Sequence, residues 1–185
     1  MLRVFVKTSC LLVLLGVFLS CGDVEEVSKP QPQELSAINQ VLKKWREGYQ
    51  SEDVETYISA FWPQGFRYVS DMGTKKDKTD DVEFDDIRQE RDSAVRVFAR
   101  FQDIEIETSP PEIQLNADRT KAEVRNHYRI QGFVSSGESL EGGFTGWFAE
   151  GDNVFTFELR NGEWRITEWM DEAFSEEEIQ RANNL

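Results

Sequence analysis

Few residues in this chain have side chains suited to chemistry, and their spacing excludes most mechanisms. Histidine occurs once, at His127, and cysteine twice, at Cys10 and Cys21. No Ser–His–Asp set, phosphate loop or metal cluster can be assembled from what remains, so no metal and no cofactor is implied. The acidic run Asp77 to Asp86 invites a calcium reading. A calcium loop counted from Asp77 needs Gly at its sixth position and Glu at its twelfth, where this chain has Val82 and Arg88. The run therefore reads as a solvated acidic loop. Two polar residues are more telling because they fall in phase with apolar neighbours. Asn126 lies between Val124 and Tyr128, and Glu168 is in phase with Trp164, Ile166 and Met170. A polar group on such a face needs an internal partner, water or a ligand. Trp45 and Tyr49 add rings with polar tips, the kind that prefer half-buried sites.

Cys21 closes an apolar run that starts near Val4, follows Arg3 and Lys7, and ends Leu19-Ser20-Cys21. At about 16 residues it falls short of the roughly 20 that cross a bilayer. A charged front, an apolar centre and a small residue at the cut describe a secretory leader, and Ser20-Cys21 resembles the lipobox of bacterial lipoproteins. That resemblance implies lipidation at Cys21 and a place in the cell envelope, at the outer membrane or periplasmic face, with the membrane as partner through the anchor. Residues 1–20 are then the leader and 21–33 a polar tether containing Pro30 and Pro32, leaving 34–185 as one domain. Without Cys10, and with Cys21 lipidated, the domain has no thiol for a disulfide. The full chain carries −14. The part after the leader keeps all 35 acidic residues and 19 of the 21 basic ones, or −16. Such a surface repels nucleic acid, so no nucleic-acid partner is expected.

The elements that must position the candidate residues follow from periodicity. Leu35, Ile38, Val41, Leu42, Trp45 and Tyr49 make a helical stripe that begins at Glu34 and ends near Gly48 and Ser51. A second helix runs from Val54 to Trp62 and stops at Pro63. Phe66 to Asp71 is a short strand, Gly73 to Glu83 a loop, and a third helix from about Asp85 carries Ile87, Ala94, Val95, Phe98 and Phe101. The period then changes to two. Asp103 to Glu107 and Thr120 to Phe133 alternate, the latter with Ala122, Val124, Asn126, Tyr128 and Ile130 on one face. His127 falls on the other face with Lys121, Glu123, Arg125, Arg129 and Gln131, turned away from the helices. Asn161-Gly162 marks a hairpin turn, and Ser175 with Glu178 opens a short terminal helix. Three helices before a meander of long strands mean an α+β domain.

This order, with Phe155 to Trp169 as its closing hairpin, resembles the NTF2-like superfamily, most closely its SnoaL-like and DUF4440-type small domains. The resemblance implies a cone, three N-terminal helices packed on a curved antiparallel sheet with an apolar pocket between. Trp45, Tyr49, Asp71, Asn126, Tyr128 and Glu168 become the candidate pocket residues. A steroid-isomerase site on this fold uses an Asp base after the first strand, with a Tyr and a protonated Asp opposite. Asp71 matches the base, but Trp45 and Val154 stand where those donors would be, so an enolate would lack its electrostatic partners. The expected function is non-catalytic binding of a small apolar ligand or a partner protein. The alternative is an isomerase- or dehydratase-like enzyme with Asp71 as general base. The mixed charge on the outer face of the long strand, with Trp147 and Trp169 adding apolar contacts, would suit a homodimer.

Overall fold

Pro32 opens α1 (Pro32–Gln50), where its missing N–H is not needed, and the helix starts before the expected Glu34. The Glu34 carboxylate accepts the Gln31 backbone N–H at 2.7 Å. The computed structural model describes residues 29–75, 77–135 and 137–183, so the leader and Cys21 lie outside the described residues. α1 buries Ile38, Val41 and Trp45 as the stripe predicts, but it runs past Gly48, which is itself buried. A Cβ at Gly48 would lie 2.3 Å from the backbone nitrogen of Tyr57. The glycine serves a close crossing with α2 (Val54–Ile58), not a helix end. Asp53 caps α2, accepting from the Glu55 and Thr56 amides at 3.0 and 3.2 Å.

α2 stops well before Pro63. Phe61 leaves the helix to bridge Ile166 in parallel, and the Trp62 amide donates to the Ile166 carbonyl at 2.8 Å. The chain continues through β1 (Arg67–Ser70), β2 (Val82–Phe84), α3 (Ile87–Arg100), β3 (Phe101–Thr108) and β4 (Glu112–Leu115). It ends with β5 (Lys121–Val134), β6 (Gly146–Arg160), β7 (Glu163–Ala173) and α4 (Glu176–Asn183). The described strands form one open sheet in the order β2-β1-β7-β6-β5-β3, with β4 pairing β5 beside β3. All pairs are antiparallel except β1 with β7. β2 begins at the end of the stretch expected to be a loop and runs one residue past it, and β4 follows Pro110-Pro111, where no strand was expected. Both are short and depend on a neighbouring strand for their hydrogen bonds, which a local pattern does not reveal.

α3 presents Glu90 and Ala94 to the interior. Val95, expected inward, is 49% exposed, and Phe101 begins β3. β5 alternates as read, burying Ala122, Val124, Asn126, Tyr128 and Ile130. Asn161 and Gly162 take φ of 53° and 83°, as a type I′ hairpin requires. Ser175 and Glu178 cap α4 reciprocally. The helices pack on one face of the curved sheet, over a core that includes Ile38, Tyr57, Phe61, Phe155, Phe157 and Ile166. This is the α+β cone expected.

Candidate functional site

A cavity of about 300 Å³ lies between the C-terminal half of α1 and the inner face of the sheet. Trp45 and Tyr49 reach it from α1, Tyr68 and Ser70 from β1, Tyr128 from β5, and Trp147 and Asn153 from β6. β7 contributes Trp169 and Asp171, and the C-terminal segment adds Phe174 and Ile179.

A bulge in β7 decides which of its residues reach the cavity. Phe157 pairs Ile166, but the next pair is Thr156 with Glu168, so Thr167 is an extra residue. Trp164 and Ile166 point inward before the bulge, and Trp169 and Asp171 after it. Glu168, expected in the pocket, therefore lies on the other side, where Arg67 Nη1 donates to its carboxylate at 2.9 Å. The same shift corrects the expectation for Trp169. Only 7% exposed, it lies inside and donates its Nε1–H to Asn153 Oδ1 at 2.8 Å. Trp147 also lines the cavity, its ring 5.4 Å from Phe101, so neither tryptophan serves the outer face.

Asp171 is the polar centre of the cavity. Tyr128 donates to its Oδ1 at 2.7 Å, while Ser70 and Tyr68 donate to Oδ2 at 3.1 and 3.2 Å. Burial raises the Asp171 carboxyl above the usual carboxylate range, and the nearby Asp71 charge adds to this, while the three hydroxyls pull it down. Burial, reinforced by the Asp171 charge, pushes the hydroxyls of Tyr68 and Tyr128 well up, so they stay neutral. Burial likewise raises Tyr49.

The other predicted residues are placed as follows. Asp71 does not line the cavity; its Oδ1 accepts the Gly73 and Ala173 amides, both at 3.0 Å, and ties the end of β1 to the end of β7. Asn126 lies behind the wall, accepting from Asn153 Nδ2 at 3.0 Å and bordering two surface clefts instead. Trp45, Tyr49 and Tyr128 are in the wall. His127 is on the outer face, its ring nitrogens 3.1 Å from Asp152 and 3.0 Å from Glu150.

Sequence reading missed Asp171, Tyr68 and Asn153. Only Tyr68 was accessible from its neighbours, since it shares a strand face with Phe66 and Ser70; Asp171 was hidden by the bulge, and Asn153 is identified by its cross-strand pairing with Asn126. It also missed Glu90. Burial pushes its carboxyl up to about 7, opposed by the Tyr57 hydroxyl, which donates to it at 2.5 Å. Among the described residues, no three His, Cys, Asp or Glu side chains converge to hold a metal ion.

Known structures share this architecture at low sequence identity. A conserved protein from Planctomyces limnophilus is 16% identical, with 77% of this chain and 98% of that one covered and a TM-score of 0.61. A putative scytalone dehydratase from Novosphingobium aromaticivorans is 11% identical, covering 77% and 85%, with a TM-score of 0.61. A type 2 hexachlorocyclohexane dehydrochlorinase is 11% identical, covering 76% and 85%, with a TM-score of 0.59. At these identities the likeness shows the fold alone. No curated protein sequence matches the chain. The profile of the SnoaL-like domain matches residues 33–170, from the start of α1 to the bulged part of β7, and the chain belongs to this NTF2-like family.

Proposed function

We propose that this chain is a lipid-anchored protein of the bacterial cell envelope whose domain binds a small, largely apolar or aromatic molecule without transforming it. The observation that carries the binding reading is the cavity itself, an aromatic enclosure with a single hydroxyl-bonded carboxyl, Asp171, at its polar end. Ligand sites are typically apolar clefts with a few convergent polar groups. The non-catalytic reading is supported by what surrounds that carboxyl. Both Asp171 oxygens already accept hydroxyl protons, the Asp71 oxygen facing its own turn is held by amides, and no histidine lines the cavity. Dehydratase and dehydrochlorinase neighbours show that the fold carries enzymes elsewhere, but fold does not assign activity.

The binding reading is tested by native mass spectrometry of the full-length protein. Small-molecule adducts are expected on the wild type and should be lost from Ala149→Trp, which fills the cavity. Identical adducts on both proteins would refute it. The anchor reading rests on the run ending Ser20-Cys21; no helix among the described residues is long and apolar enough to cross a membrane. Metabolic labelling with a fatty-acid analogue should mark the wild type and not Cys21→Ala. Equal label in both would exclude lipidation at this residue.

A further inference from the structure

The chemistry of the cavity wall narrows the ligand class, an inference that rests on the binding reading above. Eight aromatic residues line the cavity, from Trp45 on α1 to Phe174 beyond β7, and no lysine, arginine or histidine does. Other carboxylates of the molecule do find cations of the chain, as in Arg67 with Glu168 and Lys121 with Glu158. Among the described residues, Asp171 has only neutral hydroxyl partners. The carboxylate of the neighbouring Asp71 accepts only backbone amides among the described residues. Glu150 also lines the cavity. Its carboxylate, however, is turned to the outer-face cations, with His127 Nε2 and Arg129 Nε 3.0 and 3.2 Å from Oε1, so it adds no free charge to the cavity.

Hydrogen-bond direction points the same way. Tyr68 and Tyr128 each give their only hydroxyl proton to Asp171, which leaves their oxygens as acceptors, while the Ser70 oxygen already accepts the Met72 amide at 3.3 Å. The indole N–H of Trp169 is already given to Asn153. That of Trp45 has no polar partner and is buried, its ring standing edge-on to Phe155 and Trp169. The polar end therefore offers lone pairs and negative charge, and the walls offer the electron-rich faces of aromatic rings. For a carboxylate the wall holds no cation, only neutral donors such as the Tyr49 hydroxyl. We propose that the ligand is a small organic cation, an amine or quaternary ammonium group on an apolar or aromatic body, with the charge seated at Asp171 between the rings.

Matched probes of one shape separate charge from size. Intrinsic tryptophan fluorescence of the full-length protein at pH 8 would be titrated with benzyltrimethylammonium, its neutral isostere neopentylbenzene, and phenylacetate. The cation should bind about tenfold or more tightly than the isostere, and phenylacetate should not bind detectably. Asp171→Asn should remove most of the preference for the cation, lowering its affinity far more than that for neopentylbenzene. Should that variant not fold, the wild-type comparison decides alone. Neopentylbenzene binding as tightly as the cation would overturn the inference and leave the cavity reading intact. No binding of either would overturn both.

Discussion

Glu90 is only 4% exposed, inside the helical layer, with the Tyr57 hydroxyl as its partner. Its carboxyl is raised to about 7 by burial, so the folded state holds its proton more tightly than the unfolded chain does. The stabilisation is therefore complete below the ordinary carboxylate range, near 4.5, and is lost as the pH rises through about 7. It is on the order of 3 kcal/mol. Glu90→Gln keeps an acceptor for Tyr57 and cannot ionise. Thermal melts should show the variant at or below wild-type stability at pH 5 and above it at pH 8. An unchanged pH slope would mean that Glu90 does not titrate in this range. Asp171 shows the same burial effect, but there three hydroxyls share the carboxyl and oppose it.

Two glycines separate a packing requirement from a conformational one at the level of elements. Gly48 is helical, and any side chain there meets the backbone of α2 at Tyr57. Gly162 takes φ of +83° in the β6–β7 turn, with nothing within 4 Å of an added Cβ. Gly162→Ala should cost about 1 kcal/mol, the price of a left-handed residue. Gly48→Ala must push α1 away from α2 and should cost about 3 kcal/mol or more, because the clash is with main chain and no rotamer relieves it. Chemical denaturation of both variants checks the order. If Gly48→Ala were the milder change, the α1–α2 crossing would not be tight. The bulge at Thr167 has comparable reach, since one extra residue sets the facing of everything after it in β7.

Across the whole molecule, charge is balanced locally on the outer face of β5. Lys121 pairs Glu158 at 3.1 Å, Arg125 pairs Glu123 at 2.8 Å, and His127 and Arg129 both contact Glu150. In a homodimer through this face the partner's carboxylates would compete with these pairs for the same cations. Exposed pairs of this kind contribute little and are weakened by salt. Sedimentation of the full-length protein should give the same species at low and high salt. A salt-dependent shift in mass would make the face an interface between copies.

Features governed by neighbouring residues were legible from the chain alone. The stripe of α1, the alternation of β5, the Asn161-Gly162 turn, the Ser175–Glu178 cap and the outward face of His127 all follow from residues a few positions apart, and the α+β class follows from their order. What only the tertiary structure decided is which carboxyl enters the cavity. Asp71 stands two residues before Gly73, whose amide it accepts, and the end of β7 supplies its second donor. Thr167 breaks the alternation, because β6 pairs around it, and so sends Glu168 out to Arg67 and Asp171 in to Tyr68 and Tyr128. Neither the β7 donor to Asp71 nor the bulge has a local signature. A period of two carries no information about where a ladder slips by one residue, and that slip exchanges the two faces of the strand.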